Sequence, residues 1–200
     1  TEGGGLNYYN RRTREFKWYR PQEGRNSISH NNVKALYYDA DKEIIWIGTH
    51  LGGLNKLDIR SGHFTHYRME EGNPNTLPSD IIRDIIPYKS LLIIATQNGV
   101  CLFDPANGQC QQLFKDSKEG KSIKMVADVT FDSEGTLWIA ATGEGVFSDR
   151  FNTCKLTNYR HDATNPNSLS NNNVNNITQD SKGNLWFSTS GSGLDLYRPA

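Results

Sequence analysis

The sequence predicts an all-β fold built from four-stranded antiparallel β-propeller blades. Three observations carry that prediction. A glycine ahead of an apolar run recurs at Gly5, Gly53, Gly99, Gly145 and Gly193, in steps of 48, 46, 46 and 48 residues. Each full interval holds four short runs with strand patterning, which at this period means propeller blades. No stretch sustains the 3.6-residue periodicity of an amphipathic helix.

The first run of each unit alternates: Val33-Lys-Ala-Leu-Tyr-Tyr-Asp39, Ile82-Arg-Asp-Ile-Ile86, Val126-Ala-Asp-Val-Thr-Phe-Asp132 and Val174-Asn-Asn-Ile-Thr-Gln-Asp180. Period-two alternation is the mark of a strand with one buried face. A polar turn follows, as in Asp132-Ser-Glu-Gly135 and Asp180-Ser-Lys-Gly183, where Asp caps and Gly supplies positive φ. The second run is nearly all apolar: Ile44-Ile-Trp-Ile-Gly-Thr49, Leu91-Leu-Ile-Ile-Ala-Thr96, Leu137-Trp-Ile-Ala-Ala141 and Leu185-Trp-Phe-Ser-Thr189. Such a run suits a strand covered on both faces. Its Trp46, Trp138 and Trp186 keep the period and read as blade-to-blade core, whereas Trp18 stands off the pattern and is the better candidate for exposure.

The third runs are Leu54-Asn-Lys-Leu-Asp58, Val100-Cys-Leu-Phe-Asp104, Val146-Phe-Ser-Asp149 and Leu194-Asp-Leu-Tyr197; the fourth are Phe64-Thr-His-Tyr67, Cys110-Gln-Gln-Leu113 and Cys154-Lys-Leu-Thr-Asn-Tyr159. Leu6–Asn10 and Phe16–Tyr19 match a third and a fourth run. The expected organisation is a single propeller segment over 1–200. It comprises the end of a blade (1–20), blades at 26–68, 75–114 and 121–160, and three strands of a blade at 167–200. Seventeen strands do not close a ring of four-stranded blades. The count suggests part of a larger propeller, and a start at Thr1 rather than Met suggests a mature or excised segment. A four-bladed ring with a spare strand is the alternative.

Composition excludes several classes. Basic and acidic residues balance at 22 each, so no electrostatic case exists for nucleic acid or an anionic membrane. No apolar run is long enough to span a bilayer. The three cysteines, Cys101, Cys110 and Cys154, show no zinc spacing. They read as buried or half-buried thiols, and Cys101 and Cys110 could face each other across a hairpin, bridged or not. His63 and His66 are three apart in a strand and cannot chelate one metal as a pair. Asp39-Ala-Asp-Lys-Glu43 lacks the length and glycine of a calcium loop and reads as a solvated turn. No catalytic residue, metal site or cofactor is expected.

The unit Leu169-Ser-Asn-x-x-Val174-x-x-Ile177-x-x-Asp180-x-x-Gly183-x-Leu185-Trp186-Phe187-x-Thr189-x-x-x-Gly193-Leu194-x-x-Tyr197 resembles the two-component regulator propeller repeat. Ile28 to Asp58 repeats it, with Trp46-Ile-Gly-Thr-x-x-Gly-Gly-Leu54. The second full unit departs by lacking Trp, and the third replaces Gly-Gly-Leu with Glu144-Gly-Val146. The resemblance implies the periplasmic sensor region of a membrane-spanning hybrid histidine kinase of Bacteroides-type bacteria, with seven-bladed propellers that detect oligosaccharides. The kinase part would lie elsewhere, so this segment would not be an enzyme.

Within the blade frame, the loops joining second to third strands share a rim with the crossovers between blades, and function concentrates on such loops. Those loops differ between copies while the frame is constant. The candidate ligand-binding residues are therefore His50, Gln97, Asn98, Glu144, Ser190 and Ser192, with the crossovers Glu70 to Asp80 and His161 to Asn173 beside them. The expected partners are an oligosaccharide, neighbouring propeller blades and a second receptor chain, with no nucleic acid and no membrane insertion. Two alternatives stand. A streptogramin-lyase-like enzyme would need a metal and an acid–base His on one rim, where only His50 and His161 qualify. The other is a scaffold for a protein partner.

Overall fold

The structure, a computed structural model, describes residues 1–114, 123–151 and 156–199. The Lys121-Ser122 opening of the third full unit and Cys154 lie outside the described residues. All regular structure among the described residues is β, in seventeen strands. A hairpin, β1 (Leu6–Asn10) and β2 (Glu15–Tyr19), comes first. Three four-stranded sheets follow: β3 (Val33–Asp39), β4 (Ile44–Thr49), β5 (Leu54–Asp58) and β6 (Phe64–Tyr67); β7 (Ile82–Tyr88), β8 (Leu91–Thr96), β9 (Gly99–Phe103) and β10 (Cys110–Leu113); β11 (Val126–Phe131), β12 (Thr136–Ala141), β13 (Gly145–Arg150) and β14 (Thr157–Tyr159). A three-stranded sheet, β15 (Val174–Gln179), β16 (Leu185–Thr189) and β17 (Gly193–Tyr197), ends the described chain. Every sheet is a meander in sequence order, the propeller-blade topology expected of the repeat.

The chain forms two compact units, residues 1–94 with 101–111, and residues 95–100 with 112–200; the division runs through the second four-stranded sheet. In the first unit, β3 and β7 lie side by side. Trp46 sits 5.9 Å from Tyr67 and 5.4 Å from Phe103, ring centre to ring centre, with Tyr67 and Phe103 4.9 Å apart. The second unit repeats the trio. Trp138 lies 5.5 Å from Tyr159 and 5.3 Å from Tyr197, and the two tyrosines are 5.6 Å apart. In both, a second-strand Trp is clamped between the fourth-strand Tyr of its own blade and a third-strand aromatic of the next. Edge-on, tilted and stacked contacts at these spacings add to the burial of large rings. Trp46 and Trp138 are buried and Trp186 is half-buried, while Trp18 is 63% exposed.

Two hydrogen-bonded devices repeat with the blades. A threonine ending the second strand donates its hydroxyl to the carbonyl of the glycine that opens the third: Thr49 to Gly53 at 2.9 Å, Thr96 to Gly99 at 2.9 Å, Thr189 to Gly193 at 3.1 Å. Thr1 does the same to Gly5 at 2.6 Å, four residues ahead of it as in the first and third of those pairs. That glycine then donates its N–H to the opening segment of the neighbouring blade. In the first unit Gly5 bonds Asn31 and Gly53 bonds Asp80; in the second, Gly145 bonds Asn172.

The turn aspartates do more than cap. Asp180 Oδ1 accepts the N–H groups of Lys182 and Asn184, and Oδ2 accepts Asn184 Nδ2 and Trp186 Nε1. Asp132 likewise holds Trp138 Nε1 at 2.8 Å. These bonds to the charged form, led by Asn184 and Trp186, hold the Asp180 carboxyl down at about 2 against an ordinary 3.8. A depressed carboxylate stabilises the fold above the ordinary value, and that contribution is lost as pH falls through about 2. Side-chain NMR titration is expected to give Asp180 a midpoint near 2; a midpoint at 3.8 contradicts the assigned bonds.

Cys101 and Cys110 are buried free thiols with sulfurs 3.4 Å apart. They do face each other across the β9–β10 hairpin, and burial pushes the Cys101 thiol up.

Candidate functional site

Within each unit the loops between second and third strands meet the segments that open the next blade. Arg68 Nη1, just past β6, donates to Leu51 O at 2.8 Å and to Asp80 Oδ2 at 3.1 Å. Arg160, at the same place past β14, donates to Gly143 O. These bonds join loop to crossover at a rim within each unit.

The first strands β3, β11 and β15 each carry a β-bulge at the rim end. In β3 the register slips between Val33, opposite Thr49, and Ala35, opposite Gly48. The same slip falls between Val126 and Asp128 in β11 and between Val174 and Asn176 in β15. The skipped residues are Lys34, Ala127 and Asn175, and the aligned residue of β7 is Arg83. A bulge turns the extra side chain out of the ladder and re-aims it. In the last sheet the consequence is visible. Asn175 Nδ2 donates to Ser190 Oγ at 2.8 Å, and Ser190 Oγ donates to Asn175 Oδ1 at 3.2 Å. The bulge residue and the first residue of the loop thus form a pair at the rim. By alignment alone, the bulge position is Lys34, Arg83 or Ala127 in the other copies, and the loop position is His50, Gln97 or Thr142.

The residues singled out from the sequence fall as follows. His50 is half-buried; its N–H bonds Asn32 O and its Nδ1 is buried with no partner among the described residues. Gln97 is half-buried, and its carbonyl accepts the Met125 N–H. Asn98 is exposed and its N–H bonds Thr96 Oγ1. Half-buried Glu144 closes a tight turn onto Ala141 O. Ser190 and Ser192 are exposed on one loop, the latter accepting from Asn171 Nδ2. His50 belongs to the first unit and the other five to the second. His161 is committed to the frame: Nδ1 lies 2.7 Å from Leu169 O and its N–H bonds Asn172 Oδ1. Sequence reasoning missed the bulge residues. Their signal is weak, a polar or small residue directly after the first Val or Ile of each alternating run.

Asn31 Oδ1 is the second buried polar atom without a partner among the described residues. At the corresponding place Asp80 Oδ1 accepts the Met69 N–H, and Asn172 Oδ1 accepts the His161 N–H, both at 2.8 Å. The residue aligned with Met69 and His161 ahead of Asn31 is Pro21, which has no N–H to give. One substitution in the repeat thus accounts for one orphaned acceptor.

A cleft of about 970 Å³ opens at the far end of the second unit, between the Asp132–Gly135 and Ser181–Asn184 turns and against Trp138, Tyr159 and Tyr197. In the first unit the corresponding ground is occupied: the turn before β10 lays Gly108 on the Tyr67 ring. The rim, where aligned side chains differ from copy to copy, is the better candidate site. No group of three or more His, Cys, Asp or Glu side chains that could hold a metal occurs among the described residues.

Residues 27–50 and 168–191 match the two component regulator propeller family. The matched segments span β3 and β4 of the first four-stranded sheet and β15 and β16 of the three-stranded one. Among solved structures, it superposes with a TM-score of 0.83 at 24% identity on the extracellular domain of a protein described as a hybrid two component system, BT3049, from B. thetaiotaomicron, covering 98% of this chain and 26% of that one. A second such extracellular domain from B. thetaiotaomicron, BT4673, aligns over 99% of this chain and 31% of its own at 22% identity, TM-score 0.54. PorZ of Porphyromonas gingivalis, described as a surface component of the type-IX secretion system, aligns over 98% of this chain and 30% of its own at 17% identity, TM-score 0.67. These likenesses show the fold. The chain spans about a quarter to a third of the length of these proteins. A comparison with curated protein sequences found no match.

Proposed function

We propose that this chain is a sensor propeller segment from the periplasmic region of a hybrid two-component histidine kinase, and that its rim takes part in oligosaccharide recognition. One observation carries the reading: at aligned positions of a constant blade frame the side chains differ from copy to copy, and in the last sheet two of them, Asn175 and Ser190, pair at the rim. The match to two component regulator propeller repeats and the similarity to extracellular domains of hybrid two component systems support it. Neutral amide and hydroxyl pairs such as Asn175–Ser190 suit the donors and acceptors of sugar hydroxyls. The segment itself is non-enzymatic in this reading. The His161 ring is held by a backbone carbonyl, which argues against its use as a lyase acid–base group. Ligand binding would bias the packing of propellers in a receptor dimer by its differential affinity for two arrangements. Calorimetry of the complete extracellular region against neutral and acidic oligosaccharides tests this. Saturable binding of at least one class is expected; none by any class, with the fold intact, overturns it.

A further inference from the structure

We propose that the rim of the first unit, through Lys34, Arg83 and His50, selects oligosaccharides carrying a carboxylate or sulfate group. The proposal rests on the saccharide-sensing reading above and narrows its ligand class.

The argument starts from the repeat. Lys34 is the bulge residue of β3, and Arg83 holds the aligned place on β7, the strand beside it. Two adjacent blades thus carry a cation at one position, where β11 and β15 carry Ala127 and Asn175. The frame does not require a positive charge there. A bulge residue leaves the ladder, so its side chain serves neither pairing nor core.

The local bonds leave the cations available. Lys34 Nζ lies 2.8 Å from Glu2 Oε1, and the Glu2 side chain is 82% exposed. An exposed ion pair of this kind is weakly held, so a ligand anion can take the place of Glu2. Arg83 is half-buried and forms no ion pair with the described residues. The neighbouring Asp84 turns its Oδ1 to the Ile85 N–H. A planar guanidinium fork fits carboxylate and sulfate oxygens in a two-point contact, and a lysine supplies a point charge beside it. His50 completes the group. Its N–H bonds Asn32 two residues before Lys34, and together with Lys34 it draws the Glu2 carboxyl below its ordinary range, Lys34 foremost.

The test is calorimetry of the chain with three ligands of equal length: an oligogalacturonate, a sulfated galacto-oligosaccharide and the neutral galacto-oligosaccharide. The acidic ligands are expected to bind more tightly than the neutral one, and raising salt from about 0.05 to 0.3 M should weaken them selectively. Which acidic arm binds best distinguishes carboxylate from sulfate. Lys34→Gln and Arg83→Gln should each weaken acidic binding roughly tenfold or more, the loss typical of a charged hydrogen bond, while unfolding midpoints stay unchanged. Glu2→Gln should tighten it. Neutral binding equal to acidic binding, or acidic binding indifferent to both Gln variants, overturns this proposal and leaves saccharide sensing standing. No binding by any of the three ligands overturns it too, and the panel on the complete extracellular region then decides whether the broader reading falls with it.

Discussion

Trp46→Ala is expected to lower the unfolding free energy by about 3–5 kcal/mol, the range for removing a buried large aromatic. Trp46 is 1% exposed and belongs to the cluster that includes Leu54, Ile82, Ile94 and Phe103. Its ring is the contact on which Tyr67 of one blade and Phe103 of the next converge. Alanine would leave a void in a close-packed interior, and both remaining rings would lose a partner. Chemical denaturation followed by fluorescence measures the change. A loss below about 1 kcal/mol would show that the trio is not what joins these blades.

Gly145→Ala is expected to cost roughly 3 kcal/mol or more, although it adds a single methyl group. Gly145 has φ of 86°, in the left-handed region where a side chain costs about 1–2 kcal/mol. A Cβ there would also overlap the backbone carbonyl oxygen of Tyr159, which a sheet ladder cannot easily move. Accommodating it would draw Gly145 N–H away from Asn172 O. Gly143→Ala is the internal control. Its φ is 82°, but the nearest atom to an added Cβ is Asn173 Oδ1 at 3.8 Å. Only the backbone cost, about 1–2 kcal/mol, is expected there. Equal losses at the two positions would show that the carbonyl contact does not matter.

The fold was legible because blade architecture is written in periodicity. The 46–48-residue spacing of glycines and the apolar runs around Trp46, Trp138 and Trp186 mark the strands and the core. Turn chemistry at Asp132 and Asp180 was equally plain, since Asp and Gly at those offsets have few other uses. Their second role, holding the indole N–H of Trp138 and Trp186, was not read, although both pairs share a six-residue spacing. The rim was only half legible. Loop residues such as His50 and Ser190 stand out where the frame varies. Lys34 and Asn175 do not, because a bulge is a fact of register. One strand must skip against another, and a single strand's alternation shows only a small irregularity. Asn31 is instructive in the same way. Its orphaned oxygen has meaning only once Met69 and His161 show which donor Pro21 fails to supply.

Ligands are expected to be met at the rim, by bulge and loop side chains on a constant frame. Amide and side-chain NMR shifts of the labelled chain, followed during titration with the saturating oligosaccharide, test it most directly. The largest changes are expected at Lys34, His50 and Arg83 of the first unit, with the Trp138, Tyr159 and Tyr197 cleft unmoved. Changes centred on that cleft, or on the exposed Phe16 and Trp18 of the first hairpin, would contradict it.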